Sequence, residues 1–187
     1  MNKLIENIIK PENDIEIAIC NNEDFIIGCD YGKPRPGHNE GKVIYHIKEV
    51  LSNVDKYCNE ANRSDLRLIA MIHDTFKHKV DRTKSKFGEN HHGMIARRFA
   101  EKLIKNNNIL KIIELHDEAY NAWSKGNRKN DINDWTAAII RANNLIRLLL
   151  SDDILDLYLT FYRCDNETGD KTQECYVWFK KQLEYIK

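Results

Sequence analysis

Apolar residues recur with the spacing of an α-helix along most of the chain. In the segment that begins at Ser64, for example, Leu66, Ile69 and Ala70 fall at i, i+3 and i+4, which puts them on one helix face. We find no run in which apolar and polar residues alternate over the length of a strand. The pattern therefore predicts an all-α fold, a helical bundle in one domain over residues 1–187.

The stripes and the residues that break them predict the order of the elements. A short N-terminal helix ends at Pro11, and a second apolar segment spans residues 15–27. Clustered glycines and prolines predict an ordered loop over 28–38, and polar composition predicts further loops over 77–90 and 124–133. The remaining predicted helices span 39–57, 64–78, 92–105, 109–120, 134–150, 152–164 and 172–185.

Three of these helices carry a histidine where the helical period places a core residue. His73, His92 and His116 each lie on the apolar stripe of their own helix, and His38 stands at the start of a fourth. A single histidine on an apolar face is commonly a hydrogen-bonded core residue. Three on separate helices indicate imidazoles that converge on one centre. His46 and His78 are assigned instead to a helix flank and to the basic loop.

Carboxylates accompany these histidines. Asp74 follows His73 directly, and burying its charge is costly unless a cation or hydrogen bonds compensate it. Asp165 continues the inward stripe of Tyr158 and Phe161. Mixed imidazole and carboxylate ligands suit Mn, Fe, Co, Ni or Zn, and they suit an all-oxygen Mg site less well. The residues therefore predict a site for one or two divalent transition-metal ions.

The charge composition limits the partners. The 187 residues include 29 basic and 29 acidic side chains, so no overall field attracts the chain to a polyanion or a membrane. Cations are nevertheless concentrated locally. Lys33 and Arg35 precede His38, and Lys77 begins a basic segment that continues to Lys86. These clusters indicate a local preference for a phosphorylated substrate.

Cysteine usage and the N-terminus bear on the compartment. The five cysteines are scattered, odd in number and without a CxxC pair, which indicates reduced thiols and no zinc ribbon. The N-terminal residues contain no apolar run long enough for a signal peptide or a membrane span. We therefore predict a cytoplasmic protein without a membrane partner.

The ordered set of histidines and aspartates, with the stretch YGKPRPGHNEGKVIYHI, resembles the HD-domain superfamily of metal-dependent phosphohydrolases over a core of about residues 28–165. The resemblance implies that His38, His73, Asp74 and a late aspartate bind the first metal ion. It also implies that His91 or His92, followed by His116, binds a second ion or contacts phosphate. For the late aspartate, Asp165 is favoured over the alternative position, Asn143, because an amide would neutralise no charge.

The resemblance also implies an activity. A phosphate ester, either a nucleotide or the end of an oligonucleotide, is hydrolysed by metal-activated water. The predicted catalytic set is His73, Asp74, His92 and His116. The local clusters of cations predict Lys33, Arg35 and Lys77 as substrate-binding residues. Two other functions stay open at this point: a degenerate domain that binds a nucleotide or partner without turnover, and a di-iron oxygenase of the same superfamily.

Overall fold

The structure, a computed structural model, describes residues 2–129 and 131–186. Its described secondary structure is helical, apart from one isolated bridge between Arg35 and His38. The all-α prediction is confirmed. The α-helices are α1 (Lys3–Ile9), α2 (Asp14–Cys20), α3 (Glu23–Cys29), α4 (Val43–Tyr57), α5 (Arg63–Ile72), α6 (His92–Ala100), α7 (Asn107–Leu115), α8 (Glu118–Lys129), α9 (Ile132–Ser151), α10 (Leu155–Asn166) and α11 (Glu174–Leu183). Short 3-10 helices span Thr75–Lys79 and Gly88–Asn90.

Helix α5 lies at the centre of the bundle. It packs against α4, α7 and α10, and its residues Leu66, Ile69 and Ala70 are fully buried. Burying a leucine or isoleucine side chain contributes roughly 1.5–3 kcal/mol, so this stripe fixes the helix in the core. The residues that follow α5 are therefore held at the centre of the molecule.

Helix α5 ends at Ile72, whereas the periodicity predicted that it would continue to His78. Two side chains form hydrogen bonds with carbonyl groups that would accept backbone N–H groups if the helix continued for another turn. His73 Nδ1 lies 3.0 Å from the Ala70 carbonyl oxygen, and the Thr75 hydroxyl donates to the Met71 carbonyl at 2.6 Å. Such local side-chain bonds compete with the helical ladder. The chain turns at His73 and Asp74 and continues as the 3-10 helix Thr75–Lys79.

The predicted helix over 109–120 also breaks, at His116 and Asp117, where α7 gives way to α8. The predicted loop over 124–133 is wrong for residues 124–129, which belong to α8, and for residues 132–133, which begin α9. Residue 130 lies outside the described residues. Polar composition misled the prediction because Gly126 has a packing role. A Cβ on Gly126 would come within 2.3 Å of the Trp135 ring, so the glycine allows α9 to pack closely on α8.

The segment Arg35-Pro36-Gly37-His38 forms a tight turn. Arg35 N donates to the His38 carbonyl at 3.1 Å, and His38 N donates to the Arg35 carbonyl at 2.8 Å. Proline fixes the first central position, and Gly37 adopts a φ of 79° at the second, where glycine is favoured. The turn places Arg35 and His38 side by side. Within the described residues, no helix is both long and apolar enough to cross a membrane.

Gly28 lies in α3, where the loop was predicted, and brings that helix against the segment after Asp74. A Cβ at Gly28 would lie 1.9 Å from the Thr75 carbonyl oxygen. We expect Gly28→Ala to lower the free energy of unfolding by at least about 2 kcal/mol, because the steric overlap outweighs the ~1 kcal/mol that alanine gains over glycine in a helix. Urea denaturation measures this change.

The control for Gly28→Ala is Ile27→Ala in the same helix. Ile27 is 52% exposed, so its truncation should change the unfolding free energy by no more than about 0.5 kcal/mol. Equal stability of the two variants would contradict the role given to Gly28.

Candidate metal centre

The first cluster of ligand atoms joins α4, the end of α5 and the end of α10. His46 Nε2 lies 3.1 Å from both His73 Nε2 and Asp165 Oδ1. His73 Nε2 is 3.9 Å from the same Asp165 oxygen. Asp74 Oδ2 is 3.6 Å from His46 Nε2 and 3.8 Å from His73 Nε2. Two imidazoles and two carboxylates therefore converge around one point.

The second cluster shares Asp74 and adds the start of α6 and the end of α7. Asp74 Oδ1 lies 3.4 Å from His92 Nε2 and 3.3 Å from His116 Nε2. The two imidazole nitrogens are 3.1 Å apart. Each oxygen of Asp74 thus faces a different pair of histidines.

In each histidine of the two clusters, one ring nitrogen points away from the centre. The hydrogen bond made by that nitrogen determines whether the nitrogen facing the centre carries a lone pair or a proton. Nδ1 of His73 and of His116 can only donate to the backbone carbonyls of Ala70 and Ile113, at 3.0 and 2.9 Å. His46 Nδ1 lies 3.4 Å from Glu40 Oε1, a longer contact with an acceptor. A neutral imidazole that donates through Nδ1 presents an unprotonated Nε2.

These tautomers fit a cation between the rings. His73 presents an unprotonated Nε2, which lies 3.1 Å from His46 Nε2, and His46 Nε2 in turn lies 3.1 Å from Asp165 Oδ1. Asp74 Oδ1 is buried and accepts no hydrogen bond in the described structure. A metal ion would satisfy these lone pairs, and the carbonyl and carboxylate partners of Nδ1 are the kind that orient metal-binding histidines.

The same local arrangement brings His73 and His116 to the centre. Each follows the last residue of a helix, bonds through Nδ1 to the carbonyl three residues earlier, and precedes an aspartate. The Tyr158 hydroxyl secures the second of these turns, since it donates to the Leu115 carbonyl at 3.1 Å and accepts from Ala119 N at 3.3 Å. The helix ends aim both imidazoles inward.

The centre lies at the floor of a cleft of about 610 Å³. Residues from the Pro-Gly turn form one wall, and residues from α8, α10 and the following loop form the others. Cations reach the cleft at Arg35, Lys77 and Lys171, beside the carboxylates of Asp74 and Asp165.

The HD domain family model matches residues 43–149, more than half of the 187 residues. The chain belongs to the HD domain family. This confirms the resemblance and places the chain in a superfamily of metal-dependent hydrolases. Comparison with curated proteins and with solved structures yields no match. Asp165 and His38 lie outside the matched range, whereas the pairs His73-Asp74 and His116-Asp117 lie within it.

The first histidine of the HD site is where structure and sequence analysis differ. His46 occupies the place beside His73 that the sequence analysis gave to His38. The His38 ring centroid is 6.1 Å from that of His46, and its Nδ1 lies 3.1 Å from Glu40 Oε1, so it forms part of the cleft wall. The apolar pattern predicts His46 on a helix flank, and this prediction is wrong, because His46 is only 3% exposed. Its spacing from Val43 and Val50, i+3 and i−4, could have identified it.

His91 and His92 have different roles in the HD site. His92 faces Asp74 and His116, as described. His91 caps α6, because its Nδ1 accepts from Gly93 N at 3.2 Å. Its neutral ring therefore carries the proton on Nε2, which lies 3.3 Å from Asp117 Oδ2. In this geometry His91 donates to Asp117. Ligand atoms of His91, His92 and Asp117 also lie close enough together to hold an ion, so the assignment of His91 as a metal ligand stays a prediction.

Of the two candidates for the late carboxylate, the structure places Asp165 beside His46 and His73. Asn143, on α9, does not line the cleft. Lys171, which the sequence analysis did not single out, reaches back across the turn at Gly169, and its Nζ lies 3.1 Å from Asp165 Oδ1. Of the cations predicted to bind substrate, Arg35 and Lys77 line the cleft. Lys33 is exposed and does not line the cleft.

Buried charges in this HD site are arranged around carboxylates. Burial disfavours ionisation of Asp74 and Asp165. Lys77 and Lys171, together with the surrounding histidines, outweigh this effect and hold both carboxyl pKa values well below their usual range. Burial lowers the pKa of His73 to about 3. Burial also opposes charge on His116, yet Asp74 and Asp117 outweigh it and raise its pKa to about 9. The carboxylates of the centre therefore stabilise positive charge close to them, whether on His116 or on a bound cation.

Proposed function

We propose that this HD domain protein is a phosphohydrolase that cleaves a phosphate ester with metal-activated water. The observation that carries the proposal is the position of Asp74. Its two carboxylate oxygens face two separate histidine pairs at the floor of a cleft lined by cations. Carboxylates and imidazoles bind first-row divalent ions, whereas lysine and arginine bind phosphate.

His46, His73, Asp74 and Asp165 would hold the first ion, and Asp74, His92 and His116 the second. The donor set favours Mn, Fe, Co, Ni or Zn over Mg. When bound, such ions polarise a phosphoryl oxygen and lower the pKa of water from ~16 toward ~7.

The side chains around the centre position the substrate. Arg35 and Lys77 enter the cleft from opposite segments, the Pro-Gly turn and the 3-10 helix after Asp74, and bind the non-bridging phosphate oxygens. Lys171 Nζ donates to the carboxylate and to the backbone carbonyl of Asp165, and so holds Asp165 in place. The reactive phosphorus is thereby aligned with the floor of the cleft, which is the main requirement of phosphoryl transfer.

His38 completes the cleft as a proton carrier. Its Nδ1 faces Glu40, so its Nε2 is the nitrogen available to exchange a proton with substrate. Burial lowers the pKa of His38, which keeps the ring neutral near pH 7 and able to accept a proton. Glu40 holds the ring in this orientation.

The cleft supports hydrolysis over the other two functions considered. Loss of the late carboxylate would have favoured a degenerate domain, but Asp165 provides one beside His46. The cations around the cleft report the charge of the substrate, and an oxygenase would be recognised by oxygen consumption in the metal-loaded protein. Arg35, Lys77 and Lys171 therefore favour an anionic substrate.

Metal analysis combined with an activity screen tests the proposal. We expect the purified protein to contain close to two first-row metal ions per chain. After supplementation with Mn²⁺, Co²⁺ or Ni²⁺, it should hydrolyse p-nitrophenyl phosphate or bis-p-nitrophenyl phosphate, and chelation should abolish that activity. A protein that binds none of these ions and is inert with each of them would overturn the proposal.

A further inference from the structure

A second groove, of about 770 Å³, opens beside the cleft and is continuous with it. The two share Arg35, Lys77, His92, Asp117 and Asn121. From there the groove extends between the basic segment 80–90 and helix α8. A substrate bound at the metal centre can therefore continue out of the cleft along this surface.

The groove is strongly cationic, although the chain as a whole carries no net charge. Asp117 is the one acidic side chain among the described residues that line it. Its basic residues are Arg35, Lys77, Arg82, Lys86, Lys125, Arg128 and Arg141. Arg141 pairs with Glu118, Lys77 with Asp74 and Lys125, at 3.9 Å, with Asp134. Arg35, Arg82, Lys86 and Arg128 have no carboxylate within ion-pair distance in the described part of the chain. Such uncompensated cations would attract a polyanion.

Helix α8 gives the groove its direction and length. Asp117, Asn121, Lys125 and Arg128 follow one another at i, i+4, i+8 and i+11, so they form a stripe along one face that leads away from the metal centre. From the start of α8 to Arg128 the rise is roughly 15 Å, at about 1.5 Å per residue. In a strand stacked as in duplex DNA, phosphates follow every ~3.4 Å, so the stripe has room for several nucleotides of a stacked strand.

Aromatic side chains lie in the same groove. Phe87 is 75% exposed on the basic segment, and Tyr31 lines the wall near Arg82. Exposed aromatic faces beside a basic track are the combination with which proteins bind single strands, because bases stack on the rings while lysine and arginine follow the backbone. A nucleoside polyphosphate would occupy only the part of this stripe next to the cleft.

We propose that the groove binds the strand of a single-stranded nucleic acid and leads a terminal phosphoester of that strand to the metal centre. The cleavage part rests on the proposed function, whereas strand binding depends on the groove alone. Lys125 and Arg128 contact phosphates several nucleotides from the reactive one. Their contribution must therefore grow with the length of the strand.

Binding is measured by fluorescence anisotropy with labelled oligodeoxythymidylates of two and twelve nucleotides, in the presence of EDTA so that no turnover occurs. We expect the longer strand to bind more tightly. The double variant Lys125→Gln/Arg128→Gln should weaken its binding several-fold at low salt. Two lost phosphate contacts should also reduce the slope of log Kd against log salt by roughly 1.4, at about 0.7 per contact for single strands.

The matched control is Lys48→Gln/Arg147→Gln. Both residues are exposed, both lie on helices, and neither lines the cleft or the groove. This control should bind the longer strand like the unmodified protein. Equal losses in the two double variants, or affinity independent of strand length, would overturn the proposal.

Two further results decide against the single strand as ligand. Tripolyphosphate that competes as well as an unlabelled oligonucleotide would indicate a compact polyphosphate. Preference for a duplex of the same length would indicate double-stranded nucleic acid. Failure of the proposed function gives a different pattern, in which the strand binds with the predicted length dependence but the metal-loaded protein leaves it uncut.

Discussion

The variant Asp74→Asn is expected to lose both metal ions and nearly all hydrolytic activity. Each Asp74 oxygen faces a different histidine pair, at 3.3–3.4 Å from His92 and His116 and at 3.6–3.8 Å from His46 and His73. Asparagine has the same size but removes the negative charge that offsets a divalent cation. Two neighbouring sites are therefore weakened by one substitution.

We expect the metal content of Asp74→Asn to fall from about two ions per chain to near zero. The rate of phosphoester hydrolysis should fall by at least about two to three orders of magnitude, the scale on which single transition-state-stabilising groups act. Elemental analysis of the purified protein and initial rates with added Mn²⁺ measure the two effects.

The matched control is Asp156→Asn, which changes an exposed aspartate in the first turn of α10. It should retain full metal content and activity. Circular dichroism measures whether Asp74→Asn is folded, and we expect its helical signal to match that of the unmodified protein. Retention of both ions by folded Asp74→Asn would contradict the shared-carboxylate arrangement.

The second large effect is expected for His46→Ala, compared with His38→Ala. His46 Nε2 lies 3.1 Å from His73 Nε2 and from Asp165 Oδ1, so its loss removes an imidazole from the first cluster. His38 faces Glu40 and the open cleft instead. We expect His46→Ala to lose about one ion per chain, and His38→Ala to retain both while hydrolysing substrate more slowly.

Metal titration by isothermal calorimetry separates the two variants. One of the two binding events should disappear for His46→Ala, and both should remain for His38→Ala. Because His38 is assigned to proton exchange, its variant should also change the pH profile of the rate. The reverse result, with metal lost only from His38→Ala, would restore the ligand assignment made from sequence.

The residues predicted from periodicity meet in the structure for a clear physical reason. A histidine on an apolar stripe must be buried once the stripe is buried, and the stripes of α5 and α7 lead directly to His73 and His116. The same reasoning predicted that Asp165 points inward, because it continues the stripe of Tyr158 and Phe161. Both of these residues are fully buried on α10. Their assignment as ligands stays a prediction until metal is measured.

His46 shows the limit of that reasoning. It shares the inward face of α4 with Ile47, and the period alone allows either residue to be the deeper one. The motif with the prolines and glycines drew attention to His38, which lies eight residues earlier in a turn. Only the packing of α4 against α5 and α10 decides that His46 points at His73.

Lys171 and Asp117 illustrate a second limit. Lys171 is six residues beyond Asp165, and it contacts that carboxylate only because the chain reverses at Gly169, where φ is 57°. Asp117 enters the cleft because α7 breaks at His116, where the pattern predicted a continuous helix. Both depend on turns whose geometry the apolar period does not encode.

The sequence by itself determined the all-α class, the HD family and the His73-Asp74 pair, because burial of an apolar stripe dictates both helix formation and which polar residues become interior. The tertiary structure decided which groups share the centre: His46 in place of His38, the division of Asp74 between two histidine pairs, and the basic groove along α8. These depend on distances between side chains of different helices. Such distances are set by how the helices pack and where they end.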